Sequence, residues 1–248
     1  MKITKESFVY QITFLPRLFP VNCYFIEEKD DLTLIDAALP FSAKGIMKAA
    51  EKIGKPINRI LLTHAHEDHL GSLDELAAAL PNIPVYISKR DARLMRGDKT
   101  TDPNEPGFPV KGGAPKNLKT QADHFISDGQ MIGSLQAIAA PGHTPGHMAF
   151  YDTRANILIA GDAMQTRGGL AVSGKVQPFF PFPAWGTWNL EESIKSAQKL
   201  LNLNPSALAC GHGSILCDPS KEMEAAIAAA KRYLSKKKEP EHVTKSRT

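Results

Sequence analysis

Three histidines and two acidic residues occupy five of the six positions 64–69, inside the stretch LLTHAHEDHL. His64 and His66 are two residues apart, and side chains at i and i+2 share one face of extended backbone. They follow the apolar strand pattern RILL, and Asp68 and His69 come where the chain must turn into the next helix. Imidazole and carboxylate groups at this density suit a divalent metal.

Three more candidate ligands each follow a short apolar segment. His143 ends AIAAPGH, Asp162 ends ILIAGD and His212 ends ALACGH. Strand ends that meet at one sheet edge, with loops above them, are a common place for a site. Five histidines and two aspartates are too many donors for one tetrahedral zinc with an open position. They suit two metals ~3.5–4 Å apart around one activated water.

The elements that must position these residues alternate between strands and helices along the whole chain. Alternating patterns such as SFVYQITF predict strands, and SAKGIMKAAEKIG predicts a helix that begins at a Ser42 cap and ends at Gly54. Residues 98–122, rich in Pro, Gly and Lys, and residues 165–188 are predicted to be loops, and loops of this length are usually lids or binding loops. We expect one α/β domain over residues 1–235.

The charge of the chain is concentrated at its C-terminal end. The net charge is +4, and residues 231–248 contain seven Lys or Arg and two Glu, so the preceding residues sum to −1. Residues 236–248 are therefore expected to form a basic, flexible tail. A nearly neutral core argues against nucleic acid as a partner, although an arm that binds nucleic acid remains an alternative for the tail.

The remaining composition bears on the cellular location of the protein. No apolar run reaches the ~20 residues needed to cross a bilayer, and the N-terminus lacks a signal-peptide pattern. Three cysteines are too few and too irregular for a disulfide framework. We expect a cytoplasmic protein that does not bind membranes.

These motifs together resemble the metallo-β-lactamase-fold superfamily. THAHEDHLGS is similar to its first metal motif, PGHTPGH, GDAM and CGHG to the later ones in order, and LTLIDAALP to the strand and turn before the first. The similarity runs from about Asn22 to Gly213. The resemblance implies an αββα sandwich, in which two mixed β-sheets carry flanking helices and the metals lie at one edge between the sheets.

The resemblance also assigns roles to single residues. It implies that one metal is bound by His64, His66 and His143, that the other is bound by Asp68, His69 and His212, and that Asp162 bridges the two. Asp36 matches a position that supports a ligand histidine, with a simple turn aspartate as the alternative. His147 in PGHTPGH is expected to support the site rather than to bind metal.

The implied activity is hydrolysis with two divalent metals, zinc first and iron or manganese as alternatives. A bridging hydroxide would attack an ester, lactone, thioester or amide carbonyl of a small molecule, and Asp68 would orient it and carry a proton.

The glyoxalase-like and lactonase-like branches of the superfamily are the ones that the sequence resembles most. However, only 36 residues follow His212, where the thioesterases have a helical domain, and Gln165 stands where the lactonases have tyrosine. A nuclease and a mono-iron sulfur dioxygenase of the same fold remain alternatives.

An aromatic cluster lies in the second predicted loop. QPFFPFPAWGTW follows Asp162 closely, and Phe179, Phe180 and Trp185 are predicted to form an apolar substrate-binding wall. The alternative is that these aromatic residues close the core beneath the loop or form a homodimer contact.

Overall fold

Two mixed β-sheets form the centre of the computed structural model, which describes residues 1–238. The first sheet has seven strands, which neighbour one another in chain order: β1 (Lys2–Glu6), β2 (Val9–Phe14), β3 (Val21–Glu27), β4 (Leu32–Ile35), β5 (Ile57–Leu61), β6 (Val85–Ser88) and β7 (His124–Ile126). Strands β1 to β4 are antiparallel, and β4 to β7 run parallel to one another. The chain segments that follow β4 and β5, which carry predicted site residues, therefore leave this sheet at the same edge.

The second sheet contains the later strands in a different order. It begins with β8 (Met131–Ile132), β9 (Leu135–Ala139), β10 (Met148–Asp152) and β11 (Ile157–Gly161). A separate hairpin comes next, formed by β12 (Met164–Gln165) and β13 (Ala171–Val172), before β14 (Ala207–Cys210) and β15 (Leu216–Cys217) complete the sheet. Strands β11 and β14 pair in parallel, so the segments after them leave from the same end.

Within residues 1–238, seven helices connect or follow the strands. They are α1 (Ala43–Ile53), α2 (Glu67–Leu70), α3 (Leu73–Ala79), α4 (Lys89–Met95), α5 (Phe182–Gly186), α6 (Leu190–Leu201) and α7 (Ser220–Lys238). Ser42 and Gly54 bound α1 as predicted, but the Ser42 hydroxyl accepts from Leu39 N at 3.2 Å rather than capping the helix. Among residues 1–238, no helix is both long enough and apolar enough to cross a bilayer.

Three layers of buried apolar side chains hold the sheets and helices together. The middle layer lies between the sheets, where Ile35 and Leu61 of the first pack with Phe150 of the second. Helices α1, α3 and α4 cover the outer face of the first sheet, and α6 and α7 cover the outer face of the second. This is the αββα sandwich that the sequence predicts, because each sheet buries one face on the other and one face on helices.

The two predicted loops have different structures. Residues 98–122 contain neither helix nor strand, as expected. The prediction of a loop over 165–188 was wrong in part, because Gln165 pairs with Ala171 in the small hairpin and Pro183 lies in the first turn of α5. Helix α7 continues to Lys238, which places the start of the predicted 236–248 tail inside a helix. Residues 239–248 lie outside the described part of the chain.

Candidate metal centre

All seven predicted ligand side chains meet where the strands end at one edge of the sandwich. They fall into three overlapping groups whose ligating atoms lie within 4.8 Å of one another: His64, His66 and His143; His64, His69 and Asp162; and Asp68, His69 and His212. The Asp162 carboxylate lies between the outer groups, 3.5 Å from His69 Nε2, 3.5 Å from His143 Nε2 and 3.2 Å from His212 Nε2. The cluster therefore offers two sets of donors with one shared carboxylate.

Unpartnered buried atoms test whether this cluster fits metal ions. His64 Nε2, His69 Nε2 and Asp162 Oδ1 are buried and have no hydrogen-bond partner within residues 1–238. Leaving such a group unpaired costs ~1–3 kcal/mol, and more for a charged group. All three atoms point into the same cluster, and imidazole nitrogen and carboxylate oxygen are good ligands for zinc and similar divalent metals. The residues present therefore fit metal ions.

The outward-facing nitrogen of each ligand histidine is held in place. His64 Nδ1 donates to Thr63 Oγ1 at 3.0 Å, and His69 Nδ1 donates to Asp36 Oδ2 at 2.8 Å. His143 Nδ1 donates to Thr187 Oγ1 at 3.1 Å, and His212 Nδ1 donates to Pro20 O at 2.7 Å. His66 uses its other nitrogen, Nε2, which donates to Lys111 O at 3.1 Å. Metal-bound histidines usually donate their second N–H in this way, which fixes the ring and raises its basicity. His66 thus faces the cluster with Nδ1, and the other four face it with Nε2.

Electrostatics within the cluster also favour cations. Burial lowers the pKa of His64 and of His143 well below the usual value, which keeps these rings neutral, the form that binds metal. Burial opposes a charge on His212, but the Asp162 and Asp68 carboxylates outweigh it and raise the pKa of His212 to about 10. The same two carboxylates would attract a divalent metal in place of that proton.

Asp36 connects two of the ligand histidines. Its carboxylate accepts hydrogen bonds from His69 Nδ1, Thr63 N and Thr63 Oγ1, each at 2.8 Å, and Thr63 Oγ1 in turn accepts from His64. Asp36 itself has a φ of 62°, a backbone conformation that aspartate tolerates better than most residues. The structure therefore places Asp36 where it orients one histidine directly and the other through Thr63.

Asp36→Asn is expected to weaken the metal centre more than the fold. An amide has one oxygen where the carboxylate has two, so its NH₂ group must face either Thr63 N or the donors Thr63 Oγ1 and His69 Nδ1. Either orientation sets a donor against a donor and disturbs the network that holds the ligand histidines. Changes of this kind typically cost ~10–100-fold in metal affinity or activity. Competitive chelator titration would measure the affinity, with Asp31→Asn as a control in which a more exposed aspartate is changed. Unchanged metal affinity in Asp36→Asn would contradict this role.

His147 supports Asp162 through the backbone. Its Nε2 accepts from Asp162 N at 3.1 Å, and its ring stacks on His64 with centroids 5.1 Å apart. Burial lowers the pKa of His147 to about 3, so Nε2 remains an acceptor at neutral pH. This placement suits the predicted supporting role, and His147 belongs to none of the three ligand groups.

Asp91 in α4 is a buried residue of the site that the sequence motifs did not include. Its carboxylate accepts from Ala65 N at 3.0 Å, Thr144 Oγ1 at 2.7 Å and Gly146 N at 2.8 Å. It thereby ties the loop of His64 and His66 to the loop of His143. In the sequence Asp91 resembles any acid in the first turn of a helix, so no local signal separates it from a solvent-facing residue.

A cavity of about 1360 Å³ opens onto the metal centre, and its aromatic wall differs from the predicted one. Phe19 and Phe182 line it, whereas Phe179, Phe180 and Trp185 do not. Phe179 is 87% exposed and Trp185 62% exposed, and Phe180 is buried against the ring of His212, with centroids 5.1 Å apart. The Phe180 backbone is turned inward because its N–H donates to Gln177 O and its carbonyl accepts from Gln165 Nε2.

Comparisons with known proteins agree with this geometry. The family model of the metallo-beta-lactamase superfamily matches residues 16–212. The Bacillus subtilis protein named uncharacterized protein YobT is 56% identical over 94% of this chain and 100% of its own length. The B. subtilis protein named probable metallo-hydrolase YflN is 31% identical over 77% of this chain and 80% of its own.

Two further matches bear on chemistry and fold. The hydroxyacylglutathione hydrolase of Gloeobacter violaceus is 29% identical over 59% of this chain, and the match spans 50% of that enzyme. The crystal structure of TTHA1623, a protein in a di-iron-bound form, superposes with a TM-score of 0.62 at 26% identity and covers 85% of this chain and 96% of that one. The extent of the family match, together with the αββα sandwich, shows that the chain belongs to the metallo-beta-lactamase superfamily.

Proposed function

We propose that this protein is a dinuclear metal-dependent hydrolase that cleaves an ester, lactone, thioester or amide bond of a small molecule. The observation that carries the proposal is the set of three overlapping ligand groups, in which the Asp162 carboxylate lies within 3.5 Å of His69, His143 and His212. Buried nitrogen and oxygen atoms of the set have no hydrogen-bond partner within residues 1–238. A relative named as a probable metallo-hydrolase and another named as a hydroxyacylglutathione hydrolase support the same reaction type.

In this proposal His64, His66 and His143 hold one metal, Asp68, His69 and His212 hold the other, and Asp162 contacts both. Divalent metals held by these residues would supply a water activated at neutral pH and would polarise the carbonyl oxygen of the substrate. Zinc suits this donor set best, with iron or manganese as alternatives, and TTHA1623 is a similar protein in a di-iron-bound form.

Asp68 is the side chain placed to move a proton during the reaction. It lines the cavity, its side chain is partly exposed, and its Oδ2 lies 3.4 Å from His212 Nε2. A carboxylate in this position orients the attacking water from the cavity side and accepts its proton. The rings of Phe19 and Phe182 also line the cavity, with centroids 5.0 Å apart, and the Phe19 ring lies 5.5 Å from that of His212.

We further propose that the protein works in the cytoplasm and acts on small molecules rather than on nucleic acid. Cys23, Cys210 and Cys217 are all free thiols, which suits a reducing compartment. The basic excess of the chain lies in residues 231–248, and residues 1–230 sum to −1.

Metal content and a substrate panel together test the proposed function. Protein purified without chelator is expected to contain about two divalent metal ions per chain by elemental analysis, with zinc predominant. It is expected to hydrolyse members of a panel of thioesters, lactones and esters, and to lose that activity when a chelator removes the metals. One iron per chain with oxygen consumption would favour the sulfur dioxygenase instead, and cleavage of phosphodiesters alone would favour the nuclease.

A further inference from the structure

Three basic residues line the cavity that opens onto the metal centre. Arg96 follows the C-terminal end of α4, and Lys99 and Lys116 belong to the loop over residues 98–122. All three residues are exposed and line the cavity. We call Arg96, Lys99 and Lys116 the cationic wall.

The acidic residues near this wall are engaged by other arginines. Arg90 binds Glu105 at 2.6 Å, and Arg93 binds Asp98 at 3.0 Å and Asp102 at 2.6 Å. Over residues 1–238, no ion pair joins a carboxylate to any member of the cationic wall. Its positive charge is therefore available to a ligand in the cavity.

The loop that carries the cationic wall is attached to the metal centre. Lys111 O accepts from His66 Nε2 at 3.1 Å, and Gly112, with a φ of 64°, lies so close to the His66 ring that a Cβ would come within 2.8 Å of Cε1. The next residue, Gly113, packs on Lys99, whose Nζ would lie 3.4 Å from a Cβ there. Consecutive Cα atoms are ~3.8 Å apart, and this spacing together with the contacts of Gly112 with His66 and of Gly113 with Lys99 gives an upper limit of ~13 Å for the distance from Lys99 Nζ to His66 Nε2.

The charged residues that line the cavity are of both signs. The lining acids are Glu67 and Asp68 of the first ligand motif and Asp162 of the metal centre. The cationic wall and the apolar rings of Phe19 and Phe182 line the same cavity. A ligand that fits has a carbonyl for the metals, an apolar body and an anionic group.

We propose that the substrate is an acyl compound that carries a carboxylate in addition to the bond that is cleaved, and that the cationic wall binds this carboxylate. This inference rests on the proposed hydrolase function. Ammonium and guanidinium groups form charge-assisted hydrogen bonds with carboxylates, which set the orientation of the ligand and speed its entry. The cationic wall thereby selects which acyl compounds reach the metals in a productive orientation.

A pair of matched esters tests this specificity. The half-ester 4-nitrophenyl glutarate ends in a carboxylate, whereas 4-nitrophenyl butyrate does not. After subtraction of the uncatalysed rate, kcat/KM is expected to be at least about tenfold higher for the anionic ester, the size expected from one charge-assisted contact. The ratio is expected to fall toward one as ionic strength rises. In the triple variant Arg96→Gln, Lys99→Gln and Lys116→Gln, the ratio of the two kcat/KM values should be close to one at every ionic strength.

The control removes the same charge outside the cavity. Lys44→Gln, Lys48→Gln and Lys52→Gln together change three exposed positions in α1, none of which lines the cavity, and this variant should keep the wild-type ratio. Circular dichroism and melting curves show whether both triple variants fold. An equal loss of the ratio in both would mean that overall charge, not the cationic wall, selects the substrate, and would overturn the proposal.

A binding measurement separates this proposal from the hydrolase function itself. The ketones 4-benzoylbutyrate and butyrophenone differ in the carboxylate and cannot be hydrolysed, so calorimetry gives their Kd values whether or not any ester is cleaved. At least about tenfold tighter binding of the acid in the wild type, lost in the Arg96, Lys99 and Lys116 triple variant, supports the cationic wall. Equal binding of the two ketones, or an acid preference that the triple variant keeps, overturns it even if both esters are hydrolysed.

Discussion

Asp162→Ala is expected to abolish hydrolysis while leaving the fold intact. The carboxylate lies within 3.5 Å of His69, His143 and His212, so its loss removes a ligand from both predicted metal positions. We expect kcat/KM to fall by ~10³-fold or more, beyond the ~10²–10³-fold cost of losing a single transition-state donor. Metal content should fall below two per chain. Steady-state kinetics and elemental analysis measure both effects.

The fold should survive this substitution because the anchoring hydrogen bonds of Asp162 involve its backbone. Its N–H donates to His147 Nε2 and its carbonyl accepts from Ser173 Oγ, and alanine retains both groups. Asp128→Ala serves as the control, because it removes a more exposed aspartate that forms a surface ion pair with Lys199. An Asp162→Ala enzyme that keeps two metals and normal kinetics would show that Asp162 does not bridge.

Gly211→Ala is expected to damage the same site through packing alone. A Cβ at Gly211 would overlap Asp162 Oδ1 and lie 2.7 Å from His69 Cε1. The backbone there cannot easily retreat, because Gly211 N donates to Gly161 O and Gly211 O accepts from Asn22 N, both at 2.9 Å. The methyl group must therefore push the shared carboxylate out of place.

The expected result for Gly211→Ala is a loss of activity approaching that of Asp162→Ala, with fewer than two metals bound. Overpacking of this kind also costs ~1–3 kcal/mol of the free energy of unfolding, which denaturant titration would measure. Gly107→Ala is the matched control, since a Cβ there meets no atom within 4 Å. A Gly211→Ala protein with wild-type metal content and activity would contradict the close packing of Asp162 on this glycine.

The ligand cluster could be predicted from the sequence because each ligand is tied to a local pattern. His64, His66, Asp68 and His69 lie in one short stretch, and the other three each follow an apolar strand. Strand ends with loops above them are a common place for a site, and β5 of the first sheet and β9, β11 and β14 of the second lead into the segments whose ligands meet. The αββα sandwich was likewise predictable, from the resemblance together with alternating strand and helix patterns.

The surroundings of that cluster could not be predicted in the same way. Asp91 reaches Gly146 from 55 residues away, and the Lys111 carbonyl reaches His66 from 45 residues away. Neither contact follows from periodicity, because it depends on how a helix and a long loop pack over the sheet edge. The cavity wall depends on packing too: Phe180 is turned inward against His212, and Phe19 from a distant segment lines the cavity instead.

Local sequence thus specifies the donors and the layers that carry them, since ligand chemistry and strand or helix periods are properties of short segments. Three features of the site come only from the folded chain: that Asp91 ties two histidine loops together, that Gly211 leaves room for Asp162, and that three cations line the cavity. These features depend on contacts between segments far apart in the chain, whose relative placement is set by the packing of the two sheets and their helices.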